Sequence, residues 1–172
     1  MIDNKPKPKR ANCWLYVSAF VAATLFGGSL FAMMLYAAAS TSPQSLLLFI
    51  RPPFKGGFTF FVIFNSLMEW LLLPGALFLN WRIPARRNLL IIGAILYYSS
   101  RCWTYAYFVP AIFRFMNLPA DSSLSPDVAS EIMRWVKLSW IRCAVDGVLS
   151  CLLLYATSKP DNPEGCLTNK LK

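Results

Sequence analysis

The chain has 172 residues, 56% of them hydrophobic and only 15% charged, with a formal net charge of +9 and no histidine. A soluble domain of this size carries about 25% charged residues, so the composition excludes an ordinary water-facing globule and makes lipid the solvent for most of the surface. The missing imidazoles remove the usual neutral-pH base, haem ligation through histidine and most zinc catalysis; neither a metal nor a cofactor is expected.

In chain order, residues 1–12 form a basic segment with Lys5, Lys7, Lys9 and Arg10, assigned to the cytoplasm. An apolar run from about Cys13 to Ala39 exceeds the roughly 20 residues that cross a bilayer. It also exceeds the about 7–15 residues of a cleaved signal's apolar region, so it reads as a retained signal-anchor helix. Its Ala23-x-x-x-Gly27 and Gly28-x-x-x-Ala32 spacings put small residues where another helix can approach closely. Ser40 to Gly57, broken by Pro43, Pro52, Pro53 and two glycines, holds only a short apolar stretch, Leu46 to Ile50; it is expected at the outer interface or folded as a lid over a cavity mouth.

The second helix is expected over about 58–79, kinked by Pro74, which removes a backbone hydrogen bond. A short turn, Ile83 to Asn88, makes the third helix, about 89–113, its antiparallel neighbour. Ser125-Pro126-Asp127 has the order N-cap, proline at the first helical position, acid in the first turn. It starts a fourth helix over about 126–157, near 45 Å long at 1.5 Å per residue, longer than a hydrocarbon core of about 30 Å. Its first turns should therefore project beyond the lipid, with Trp135 and Trp140 near the outer interface. Residues 158–172 carry no apolar pattern and read as a flexible cytoplasmic tail.

Charge placement gives the orientation. Lys5 to Arg10, the Arg82/Arg86/Arg87 link and Lys159, Lys170 and Lys172 fall on one side of four alternating helices. Short basic segments stay inside, so both termini are expected in the cytoplasm. The same placement assigns the positive charge to topology and anionic lipid rather than to nucleic acid. The expected fold is all-α: a four-helix transmembrane bundle, N-in and C-in, occupying residues 13–157, an integral multi-pass protein of the cytoplasmic membrane if bacterial.

Four ionised residues lie inside these runs: Glu69, Arg101, Arg142 and Asp146. A charge at mid-bilayer costs at least about 2.5–3.5 kcal/mol, so pairing is the cheaper arrangement. Helical spacing puts Ser139, Arg142, Asp146 and Ser150 on one stripe, Tyr97, Arg101, Thr104 and Tyr105 on another, and Asn65 one turn before Glu69. The expectation is an inward polar layer with an Arg142–Asp146 pair within helix four and a Glu69–Arg101 pair between helices two and three. As a ligand site it comprises Asn65, Glu69, Tyr97, Arg101, Tyr105, Ser139, Arg142 and Asp146, with Glu69 and Asp146 the candidate catalytic bases. As a purely architectural device it would only fix helix register.

Tyr105-Ala-Tyr-Phe-Val-Pro-Ala-Ile112, a short acidic outer loop and Arg134-Trp-Val-Lys-Leu-Ser-Trp-Ile-Arg142 together resemble the small four-helix membrane family named for anthrone oxygenases. The shared features are a Val-Pro near the end of helix three, here Val109-Pro110, and a Trp…Trp…Arg approach to helix four, here Trp135, Trp140 and Arg142. The resemblance covers about the last two helices. It departs at Ala111-Ile112, where many relatives have an asparagine nearby. It implies the four-helix fold and cofactor-free oxidation of an aromatic anthrone-like substrate by O₂, which needs a base to form the carbanion; Glu69, Asp146 or a tyrosine would have to serve.

Three function classes follow: a membrane protein binding a lipophilic small molecule, with or without such oxygenase chemistry; a non-catalytic accessory or scaffold subunit, alone, as a homo-oligomer or in a membrane complex; and a small carrier. A single bundle without inverted repeats disfavours the last.

Overall fold

The computed structural model describes residues 8–39, 47, 56–118 and 125–160. The Ser40–Gly57 connection, Leu47 and the last two glycines apart, the short acidic loop before helix four, the N-terminal lysines up to Lys7 and the tail beyond Pro160 lie outside these residues, and with them the lid and the flexible tail.

Four long helices are present among the described residues. Helix α1 is Pro8–Ala39. Helix α2 runs through Gly56–Leu67, a π-helical turn Met68–Leu72, and Leu73–Asn80. Helix α3 runs through Pro84–Trp103, a second π-helical turn Thr104–Phe108, and Val109–Met116. Helix α4 is Pro126–Thr157. Three stretches are long and apolar enough to cross a membrane: Lys9–Ala37, Phe58–Asn80 and Pro126–Thr157. Helix α3 completes the bundle; its Pro84–Trp103 segment, which carries Arg86, Arg87 and Arg101, falls short of that apolarity. Large rings stand outward, Trp70 at 77% and Phe78 at 80% exposure. Apolar patches of that kind suit acyl chains rather than water.

The ends of the elements follow local chemistry. Ser125 accepts the Val128 N–H at 3.4 Å, with Pro126 at the first helical position and Asp127 in the first turn. Proline likewise opens α3 at Pro84, where its missing N–H costs nothing. The α2–α3 turn is short, closed by the Ile83 N–H on the Asn80 carbonyl at 3.0 Å.

Packing divides the interior into two clusters. Near the α2–α3 turn, small and aliphatic side chains dominate, among them Leu15, Ala22, Met68, Leu73, Leu90 and Leu153. Towards the other end the core is aromatic, with Phe108, Phe115 and Trp135 packed beside Ile132 and Leu47. Trp135 is therefore not an interfacial anchor. It is 4% exposed and packs against Tyr36, Phe108 and Phe115 with ring centroids 5.6, 5.9 and 6.3 Å away, its indole N–H aimed at the Phe108 carbonyl at 3.4 Å. Trp140, at 42% exposure, keeps an outward position. Of the small residues in α1, Gly28 is used for close approach: a Cβ there would lie 2.5 Å from the Phe60 ring of α2, whereas Gly27 faces open space.

A polar latch closes the end of the bundle that holds the α2–α3 turn. Arg86, 3% exposed, donates from Nε to the Lys159 carbonyl at 3.0 Å and from Nη1 to the Asn12 and Asn80 side-chain oxygens at 2.5 and 3.2 Å. Asn80, fully buried, is held in turn by its amide on the Ala76 carbonyl at 2.9 Å. One guanidinium thus joins the start of α1, the ends of α2 and α4, and its own helix α3. Arg86 was expected only as a topology signal in the basic link; burial adds a structural role to the charge.

Candidate functional site

The two π-helical turns position the polar layer, and proline explains both. Each ends immediately before an Xaa-Pro pair, Leu73-Pro74 and Val109-Pro110. The Leu73 N–H reaches back to the Met68 carbonyl and the Val109 N–H to the Thr104 carbonyl, one residue further than in an α-helix. Widening relieves the clash of a proline ring with the preceding turn. It also orphans the carbonyl between: Glu69 O finds neither Leu73, now bonded elsewhere, nor Pro74, which has no N–H. The Tyr98 hydroxyl of α3 fills the gap, donating to Glu69 O at 2.7 Å.

Glu69 and Tyr105 occupy the same place in their helices, each five residues before its proline, and they meet. The Tyr105 hydroxyl donates to Glu69 Oε2 at 2.9 Å and accepts from Arg101 Nη2 at 3.1 Å, while Arg101 Nε lies 3.4 Å from the same carboxylate oxygen. The guanidinium also sits over the Tyr105 ring, 4.8 Å from its centroid. The side chains of Glu69 and Arg101 are 10% and 12% exposed, so the pair is shielded, and the expected inter-helix contact between α2 and α3 is present.

The second expected pair is not formed. Arg142 and Asp146 share a face of α4, yet no ion pair joins them among the described residues. Asp146 Oδ2 instead accepts the Ser29 hydroxyl of α1 at 2.6 Å. Arg142 lies over the Phe108 ring of α3, 4.4 Å from the centroid. Helical spacing permitted the intrahelical pair, but neighbours from two other helices engage the two side chains instead.

Beside this layer is a cavity of about 280 Å³. Its polar wall includes Ser29, Asn65, Arg101, Thr104, Tyr105, Ser139 and Arg142, and its apolar wall includes Met33, Phe61, Phe108, Val109, Ile112 and Trp135. The backbones of α2 and α3 approach closely through 73–80 and 84–103, and beyond their π turns the seam between them carries a Phe58–Phe113 ring contact with centroids 6.0 Å apart. Half-exposed Val62 of α2 and Tyr105 of α3, at 47% and 50%, flank this seam and line the cavity. Both residues are at once on the surface and on the cavity wall, so the cavity is reached between α2 and α3.

Of the expected site residues, Asn65, Arg101, Tyr105, Ser139 and Arg142 line this cavity. Three do not. Tyr97, 1% exposed, spends its hydroxyl on Asn65 O and Oδ1, both at 3.2 Å. Glu69 stands behind Tyr105, and Asp146 behind Ser29. Ser150, at the end of the expected α4 stripe, is buried with no hydrogen-bond partner for its hydroxyl among the described residues. Sequence reasoning missed Ser29 and Tyr36. Among the described residues no cluster of three or more acidic, cysteine or histidine side chains forms a metal site.

The fold and the site define an all-α four-helix protein with three candidate membrane spans and buried Glu/Arg contacts. No family model, curated protein or solved structure matches the chain.

Proposed function

We propose that this is a polytopic membrane protein that takes a lipophilic small molecule from the bilayer into the cavity enclosed by its four helices. The observation that carries the reading is a cavity of about 280 Å³ with a mixed wall, in which aromatic and aliphatic side chains stand beside guanidinium and hydroxyl groups. Ligand pockets have this character: mostly apolar, with a few placed polar groups that fix orientation. An architectural layer alone needs no cavity. Mass spectrometry of small molecules that travel with the gently solubilised protein tests it directly. The wild-type protein is expected to carry a lipophilic compound. Val62→Trp, which fills the mouth from a half-exposed position and should alter stability by less than about 0.5 kcal/mol, is expected to lose it. Equal carriage by both proteins, or by neither, removes the proposal.

A second reading is supported by the Glu69–Tyr105–Arg101 triangle. A tyrosine hydroxyl on the cavity wall, hydrogen-bonded to a carboxylate behind it, offers a path for a proton from substrate to Glu69, and Arg101 offers charge for an enolate. This is the arrangement a cofactor-free oxygenase of an anthrone-like substrate requires: deprotonated anthrone plus O₂ gives anthraquinone plus water once the proton is returned. Oxygen uptake with anthrone as probe is expected to fall at least about 100-fold in Tyr105→Phe, the usual size of a general acid–base contribution. Wild-type uptake no faster than the uncatalysed reaction eliminates the enzymatic reading and leaves the binding one standing.

A further inference from the structure

We propose that the cavity selects molecules with a single anionic oxygen head, carboxylate or phosphate, seated on Arg142, with the apolar remainder extending through the α2–α3 seam; this rests on the binding function proposed above. The first ground is the distribution of charge around the wall. Arg101 and Arg142 both line the cavity, whereas neither Glu69 nor Asp146 does. Glu69 is already committed to Arg101 and the Tyr105 hydroxyl, and Asp146 to Ser29. Asp146 remains the countercharge of Arg142 one turn along α4, but its carboxylate is turned to Ser29, so it is the Arg142 donors and not an acid that face the cavity.

The second ground is the way Arg142 is held. Its guanidinium carbon lies over the Phe108 ring, 4.4 Å from the centroid, and a cation–π contact uses none of the five N–H donors for a hydrogen bond to a polar acceptor. None of the described residues offers them a hydrogen-bond or ion-pair partner. Tyr36, also on the wall, has a hydroxyl with no hydrogen-bond partner among the described residues, and the Ser139 hydroxyl, donated to the Trp135 carbonyl at 2.9 Å, keeps its lone pairs. A half-buried fork of donors without hydrogen-bond acceptors is the complement of a planar or tetrahedral oxyanion. Carboxylates and phosphate monoesters share that chemistry; a neutral ester or an amine does not.

The experiment uses the full chain, purified in an uncharged steroid detergent, and compares binding of laurate, methyl laurate and dodecyl phosphate by equilibrium dialysis. Laurate or dodecyl phosphate is expected to bind at least about tenfold tighter than methyl laurate, as a charge-assisted bidentate contact implies. Arg142→Gln is expected to bring the anion down to the affinity of the ester, while Arg134→Gln, a substitution on the same helix away from the cavity wall, changes nothing. The tighter of the two anions identifies the head. Methyl laurate binding as tightly as both anions to the wild-type protein overturns the anionic head but leaves a lipophilic cavity intact. Equal losses in Arg134→Gln and Arg142→Gln also overturn it, by reducing the effect to surface charge. If no probe binds at all, the inference fails, and whether a native lipophilic compound co-purifies decides the cavity reading separately. Should Arg142→Gln not fold, the acid-against-ester comparison on wild-type protein decides the matter alone.

Discussion

Arg86→Ala is expected to destabilise the bundle by about 2–4 kcal/mol, because several acceptors lose a charged donor at once and each such loss costs about 1–3 kcal/mol when buried. The Lys159 carbonyl, the Asn12 side chain and the fully buried Asn80 all depend on this guanidinium. The lower part of the range allows for water reaching Asn12 and Lys159 at the end of the bundle. Denaturation in mixed micelles, followed by helical circular dichroism, measures the change. Arg86→Lys separates the two roles of the residue. It preserves the positive charge that orients the chain, but a point charge on a flexible stem does not reproduce the planar fork, so most of the loss is expected to persist. Arg82→Ala, exposed in the same link, is expected to stay within about 0.5 kcal/mol of wild type. A stable Arg86→Ala protein, or an Arg82 variant equally damaged, contradicts the latch.

The second large effect concerns the pair between α2 and α3. Arg101→Leu alone is expected to cost about 3–5 kcal/mol, since it strands a carboxylate that is only 10% exposed. Glu69→Gln with Arg101→Leu should recover most of that, because the glutamine amide is neutral and its carbonyl oxygen still accepts the Tyr105 hydroxyl bond. A double-mutant cycle is therefore expected to give a coupling of about 1–3 kcal/mol, and additive losses would refute the pairing. The recovered double variant also divides architecture from function. If it folds and retains its lipophilic compound, the pair only holds α2 and α3 in register; if it folds and releases the compound, the layer takes part in binding.

How much of this was legible beforehand differs from residue to residue. Glu69 and Arg101 stood near the middle of adjacent antiparallel helices, and a short turn left little freedom of register, so their contact followed from helical geometry and the cost of unpaired charge. Arg142 and Asp146 satisfied the same spacing rule and still did not pair. The i,i+4 relation says that two side chains can meet, not that nothing better is offered, and Ser29 of α1 and Phe108 of α3 offered it. Trp135 looked like an interfacial indole because its place along α4 suited one; aromatic rings from α1 and α3 made it core. The two prolines announced a local disturbance, but not that the turns would widen and bring Glu69 opposite Tyr105.

By itself, then, the order of residues determined what lies along each helix: apolar runs of membrane length, the capped start of α4, the short α2–α3 turn and the position of each charge along its helix. These are properties of a single element, governed by backbone hydrogen bonding and transfer from water. Only the tertiary structure decided which face of each helix meets which neighbour, and hence that Arg86 is a latch, that the carboxylates retreat behind hydroxyls, and that a cavity forms with Arg142 on its wall. Such outcomes depend on competition among side chains from different helices, where differences of an ångström in packing select one partner over another.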